Sequence, residues 1–199
     1  MEIFARKEWW CMNQIKRLYL DFDGCIVNTI ATITKLYNED FQYYKDYCPK
    51  KWTDVKTWDF IELSCASPEY INTYFNQPRF FENIEYMPWA ESTLDKLREK
   101  YEIIIVSSGY SPNLKGKELW IKQNIPYAKF IGVNLKTHKD KRFVDMSDGI
   151  LIDDSMSNLS TSNAIMNICF GDKYKWNEDW EGYRAYNWCE VQKMLLNDD

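Results

Sequence analysis

The chain has 199 residues, 45% of them hydrophobic and 28% charged, and a formal net charge of −5. That length fits one domain, or one domain with a modest insertion, and buries a sizeable core without staples. The acidic balance and the lack of a basic stripe weigh against a protein devoted to nucleic-acid backbones or anionic membranes, and no run approaches the length of a membrane span.

The first residues, Met1 to Glu8, lack the apolar run of a signal peptide, and Met12 is an alternative start because the clear fold pattern begins after it. Residues 17–21 read as a short buried strand ending in a carboxylate. Residues 30–85 start helically, with Ile30, Ile33, Leu36 and Tyr37 on one face, and continue as a polar stretch rich in aromatics; this predicts a helical insertion. A helix over 88–100 follows, then a strand over 102–108 with four consecutive β-branched apolar residues. Ser111-Pro112 predicts the cap and first position of a helix over 112–124. Weaker or shorter apolar runs at 129–133, 149–154 and 165–170 complete five strands, and an amphipathic helix is expected from about Tyr186 to Leu196. Apolar runs without alternation suit strands buried on both faces of a parallel sheet, so the pattern predicts an α/β doubly wound fold. Cys11, Cys25, Cys48, Cys65, Cys169 and Cys189 show neither CxxC nor zinc spacing and read as reduced cytoplasmic thiols.

Three of the strands end in polar groups: Asp21 with Asp23, Ser107 with Ser108, and Asp153 with Asp154. In an open parallel sheet the strand C-termini line one edge, where ligands bind. A single Asp after a strand is usually a cap or turn residue, but three strands ending this way point to a site. A phosphate monoester is a dianion that repels a carboxylate nucleophile. Mg²⁺ removes that repulsion and prefers carboxylate and phosphate oxygens. Covalent catalysis by a carboxylate splits hydrolysis into phosphoryl transfer and attack by water, with a second acid to protonate the leaving oxygen. A hydroxyl and a Lys stabilise the transferring group. The sequence supplies each of these groups.

The segment Asp21-Phe22-Asp23-Gly24-Cys25-Ile26-Val27-Asn28-Thr29 resembles the first motif of the haloacid dehalogenase (HAD) superfamily, and the resemblance spans nearly the whole chain. It implies a Rossmann-like parallel sheet core over 13–29 and 86–199, with a small helical cap over 30–85 inserted after the first strand. It implies Asp21 as nucleophile, Asp23 as general acid/base and Ser107 as phosphate ligand, with Ser108 and Gly109 beside it. Mg²⁺ would be held by Asp21, the Asp23 carbonyl and Asp153, with Asp154 orienting water. The phosphate-binding Lys is Lys141 by likeness to a Thr-x-Asp-Lys pattern, with Lys139 as runner-up. His138 reads as an exposed loop residue.

Within the superfamily the chain is similar to the cytosolic 5′(3′)-deoxyribonucleotidases. Phe80-Phe81-Glu82-Asn83-Ile84, then Met87-Pro88-Trp89-Ala90 with Trp89 in place of their Gly, Thr57-Trp58-Asp59 and Leu151-Ile152-Asp153-Asp154 carry that likeness. It implies a nucleoside monophosphate substrate whose base lies among cap aromatics, the candidates being Trp52, Trp58, Phe60, Phe80 and Phe81; for each, packing inside the cap is the competing reading. The alternatives are a phosphatase for another small metabolite such as a sugar phosphate, or a non-catalytic nucleotide-binding module. No nucleic-acid or membrane partner is expected, and nothing opposes a homodimer. The stretch Asp172-Lys173-Tyr174-Lys175-Trp176 reads as a surface loop after the last strand.

Overall fold

The computed structural model describes residues 15–196, so Cys11 and Met12 lie outside the described residues. Six parallel strands form one sheet: β1 (Arg17–Leu20), β2 (Glu102–Gly109), β3 (Lys129–Asn134), β4 (Gly149–Asp153), β5 (Met166–Phe170) and β6 (Tyr183–Ala185). Their order is β3-β2-β1-β4-β5-β6. The chain moves outward in one direction from β1 to β3, then crosses back to place β4 on the other side of β1. The strand order therefore reverses at β1, and a crevice opens there at the C-terminal edge.

The unbroken apolar runs are explained by two buried faces. Leu18, Leu20, Ile103, Ile105, Ile150 and Ile152 join one core cluster. Tyr19, Ile104, Val106 and Leu151 join the other. Side chains alternate across a strand, so residues 18–20, 103–106 and 150–152 of these central strands are apolar at every position. The first cluster is covered by α4 (Ala90–Leu97), α5 (Ser111–Asn124) and α7 (Trp188–Leu196), through Leu94, Leu97, Trp120, Ile121, Trp188, Val191 and Leu195. The second is covered by Leu159 of α6 (Met156–Thr161) and by Val144 and Met146. Each large aliphatic side chain so buried contributes about 1.5–3 kcal/mol.

Between β1 and β2 lie α1 (Thr29–Phe41), a 3₁₀ turn (Trp52–Asp54), α2 (Pro68–Tyr74) and α3 (Pro78–Asn83). The chain enters and leaves this helical segment side by side: Asn28 N donates to Glu85 O at 2.9 Å and Met87 N to Ile26 O at 2.8 Å. Ile30, Ile33, Leu36 and Tyr37 of α1 are all buried, as their spacing predicts. Asp40, near the end of α1, binds the segment together. It accepts hydrogen bonds from Tyr74 Oη (2.9 Å) on α2 and from Arg79 Nη1 (2.7 Å) on α3.

Three details differ from the sequence reading. A sixth strand, β6, follows β5, because three residues bounded by Gly182 and Tyr186 are too few to show a pattern. The cap of α5 is Tyr110, so the helix starts at Ser111, one residue before the expected 112. Trp89 caps α4 in the left-handed region, with φ +68°.

Candidate active site

Register brings the acids together. Leu20 pairs with Ile105 on β2 and Ile152 on β4, so Asp21, one residue on, stands level with Asp153. Asp21 N donates to Ile152 O at 2.9 Å, which holds this first residue past β1 against β4. One carboxylate oxygen from each of Asp21, Asp153 and Asp154 lies within 4.8 Å of the others, and all three residues are buried. Lys141, 1% exposed, donates to Asp21 Oδ1 at 2.6 Å and to Asp153 Oδ2 at 2.5 Å. Asp153 also accepts from Ser155 N at 2.8 Å and from Asn158 Nδ2 at 3.1 Å. Lys139 is exposed, outside this cluster. His138 is exposed as well, stacked on Phe143.

The chain then turns sharply. Ile26 N and Val27 N both donate to Phe22 O, and Gly24 sits at φ +70°. A side chain at Gly24 would need a rare backbone conformation, and its Cβ would stand 2.9 Å from Asp154 Oδ2. The turn carries Asp23 round to face β2. Its Oδ1 accepts from Thr29 Oγ1 at 2.8 Å, and its Oδ2 pairs with Lys117. Lys117, on α5 and 1% exposed, also donates to Ser107 Oγ at 2.9 Å and to Ser108 O at 2.8 Å.

The electrostatics follow from crowding. Burial pushes the Asp21 carboxyl up to about 6; Lys141 opposes this, while Asp153 and Asp23 add to it. Burial also holds Asp154 well above the usual carboxylate range, reinforced by Asp21 and Asp153. For Lys141, burial works against the charge, but Asp153 and Asp21 outweigh it and raise its pKa. Three buried carboxylates thus face one ammonium. Hard oxygen donors with negative charge to spare fit a divalent cation such as Mg²⁺.

A cleft of about 430 Å³ opens beside Asp23, Ser108, Gly109 and Lys117, walled by Trp58, Phe75 and Asn113 among others. Of the five candidate aromatics, Trp58 alone borders it. Phe60 and Phe80 are buried, at 2% and 0% exposure, and serve the core of the helical segment. Phe81 packs against α5, where a Cβ at Gly116 would stand 2.1 Å from its ring. Trp52 borders two other hollows, one of about 620 Å³ beside α1 and one of about 180 Å³ that Asp154 also lines.

Sequence reasoning missed several residues here. Lys117 was legible only as a Lys on the same helical stripe as Asn113 and Ile121, which are buried with it. Phe75 was one aromatic among many. The segment 172–176 is a loop after β5, as expected, but a further strand follows it, and Trp176 Nε1 donates to Asp154 Oδ2 at 3.0 Å.

Known proteins resemble this chain over nearly its whole length. The family described as 5′ nucleotidase, deoxy (pyrimidine), cytosolic type C protein matches residues 13–198. The 5′(3′)-deoxyribonucleotidase of Clostridium acetobutylicum is 28% identical over 180 residues, which span 89% of this chain and 93% of that protein. Among solved structures, the chain is similar to a haloacid dehalogenase-like hydrolase of Streptococcus pneumoniae, with a TM-score of 0.63 and 14% identity over 92% of this chain and 99% of that one. It is also similar to the HAD-hydrolase YfnB of Bacillus subtilis bound to magnesium, with a TM-score of 0.58 and 11% identity over 92% and 100% of the two chains. At such identities the likeness is one of fold, and it is the HAD-like α/β fold that the sequence predicts. With the match over residues 13–198, the chain belongs to the cytosolic type C 5′-nucleotidase family of HAD-like phosphatases.

Proposed function

We propose that the protein is a cytoplasmic, Mg²⁺-dependent phosphatase of nucleoside monophosphates, with residues 13–29 and 86–199 as catalytic core and residues 30–85 as a cap over the site. The observation that carries this reading is the division of labour between the two leading acids. Asp21 faces Lys141 and the acid cluster, whereas Asp23 borders the 430 Å³ cleft. A leaving group in that cleft lies next to Asp23, and a phosphorus atom between them lies next to Asp21.

Asp21, Asp153, the Asp23 backbone carbonyl and Asp154 would hold Mg²⁺, which supplies charge neutralisation for the approach of a phosphate dianion. An Asp21 oxygen attacks phosphorus and the ester P–O bond breaks. Asp23 delivers its proton to the departing oxygen, leaving an acyl phosphate on Asp21. Water then attacks that phosphorus, Asp23 takes the water's proton, and the Asp21 carboxylate is released with inorganic phosphate. Lys141 spans Asp21 and Asp153 and fixes the nucleophile's direction. Thr29 and Lys117 hold Asp23 from both sides. Ser107, Ser108 and Gly109 lie at the C-terminal end of β2, where they bind the transferring group.

Trp58 and Phe75 give the cleft two flat walls suited to a base. The test is phosphate release from a panel of deoxynucleoside monophosphates and sugar phosphates with and without Mg²⁺. Preference for deoxynucleoside monophosphates by kcat/KM is expected. Equal or better turnover of sugar phosphates would overturn the substrate reading, and leave the phosphatase reading standing.

A further inference from the structure

Asp154 is gripped from outside the motif that contains it. Its carbonyl accepts from Asn177 Nδ2 at 2.9 Å, and its Oδ2 accepts from the Trp176 indole Nε1 at 3.0 Å. Any side chain at Gly24 would crowd the same oxygen. The segment bearing Trp176 is itself anchored. Asn177, 1% exposed, accepts from Tyr174 N at 3.0 Å, and Arg184 Nη2 on β6 donates to Asn177 O at 2.6 Å. The indole lies flat on Tyr174, with ring centroids 4.4 Å apart and planes at 1°. On another side it meets Trp58 at 5.3 Å, tilted by 49°. Trp58 belongs to the helical insertion and walls the leaving-group cleft. A Phe would pack equally well against Tyr174 and Trp58. What the indole adds is an N–H, and that N–H goes to a buried acid instead of to water.

We propose that Trp176 is a positioning residue for Asp154: its N–H commits one carboxylate oxygen and fixes the rotamer, and its ring ties that rotamer to the seating of Trp58 and the insertion. The inference rests on the reading of Asp21, Asp153 and Asp154 as the Mg²⁺ site. Partners that orient a metal's ligands change its affinity by about 10–100-fold when they are removed. The wedge between Tyr174 and Trp58 makes the effect depend on how the insertion sits, so a side chain that never touches Asp154 should alter it too.

The experiment is a calorimetric titration of Mg²⁺ into the full chain and its variants, with metal-free melting curves beside it. Wild type should bind Mg²⁺, and Asp153→Asn should abolish binding. Trp176→Phe should weaken binding about tenfold and lower the metal-free melting temperature slightly, because one buried Asp154 oxygen loses its partner, while the KM for the preferred substrate at saturating Mg²⁺ stays at the wild-type value. Trp58→Leu should weaken it less, and the Trp58→Leu/Trp176→Phe double variant should bind no more weakly than Trp176→Phe alone. A Trp176→Phe affinity within about twofold of wild type, well below that expected range, overturns the proposal. If wild type binds no Mg²⁺, or Asp153→Asn binds as wild type does, the metal-site reading falls and takes the proposal with it. A second readout needs no variant: saturating Mg²⁺ should shift an indole N–H resonance of the wild-type protein in a ¹H–¹⁵N spectrum, and an unmoved set of indole resonances counts against the proposal.

Discussion

The edge of the sheet and the helical insertion are built from opposite materials. At the edge, charge is buried and matched with charge: Lys141 reaches Asp21 and Asp153, and Lys117 reaches Asp23 and Ser107, both lysines being 1% exposed. In the insertion, aromatic rings provide the core, and one carboxylate, Asp40, ties three helices together near the surface. A buried charge network tolerates little change, because removing one member leaves the others unpaired in a dry site. A core of aromatics and one half-exposed acid tolerates more. The difference teaches where substitutions should stop the reaction, and where they should only change what is bound or how firmly the insertion stands.

The largest effect is expected at Asp21. Asp21→Asn keeps the shape and removes the nucleophile, so kcat should fall by about 10⁴-fold or more. Phosphate-release assays check this, and Mg²⁺-dependent activity that persists in the variant would break the mechanism. Lys141→Met is next. It leaves Asp21 and Asp153 without their shared ammonium, and should cost about 3 kcal/mol in the metal-free protein. Urea denaturation with and without Mg²⁺ measures it. Mg²⁺ should restore part of the loss, because a cation at the cluster replaces the missing charge. A variant as stable as wild type without metal would show that the edge is not the less tolerant region.

The insertion should answer differently. Phe75 walls the cleft at the C-terminal end of α2, in the helical insertion. Phe75→Leu removes a flat face while keeping an apolar side chain. Loss of one stacking contact is worth about 1–3 kcal/mol, so KM should rise by roughly tenfold, with kcat within about threefold of wild type. Steady-state kinetics on a deoxynucleoside monophosphate separates the two. A fall in kcat at unchanged KM would mean that the insertion takes part in the chemistry and that the contrast between the regions is false.

The same contrast explains what could be read from the sequence. Strands of the sheet edge were legible because burial on both faces leaves an unbroken apolar signature, and acids at the end of such a run stand out. Residues 149–154 show both features, and residues 102–108 show the same apolar run ending in the hydroxyls of Ser107 and Ser108. Lys117 did not stand out, because its role comes from how α5 packs across β2. Lys139 and Lys141 were two readings of one loop, and only the packed structure separates the exposed ammonium from the one against Asp21. In the insertion, Phe75 and Phe80 are alike as letters; one walls the cleft and the other is sealed in the core because of helix orientation, which composition does not encode. Trp89 was visible as an oddity where relatives have Gly. Its φ of +68° supplies the reason: the backbone there adopts a conformation that Gly enters without steric cost.

The smallest effect tests the insertion's own hub. The Arg79 guanidinium holds Asp40 below the usual carboxylate range; partial burial opposes it, and Tyr74 assists. Their side chains are 36% and 21% exposed, Arg79 first, so solvent screens the pair. Asp40→Asn should therefore cost about 1 kcal/mol at neutral pH. The sign follows from the depressed pKa. The stabilisation is fully present above the unfolded-state value of about 3.9 and is lost as pH falls through the lower folded-state value. The stability gap between wild type and Asp40→Asn should thus be constant from pH 7 to about 5 and close below about pH 4. Urea midpoints across that range measure the gap. A gap that persists undiminished at pH 3 would mean that shape, rather than charge, joins the three helices, and would make the insertion more like the rest of its aromatic core than the Asp40 hub suggests.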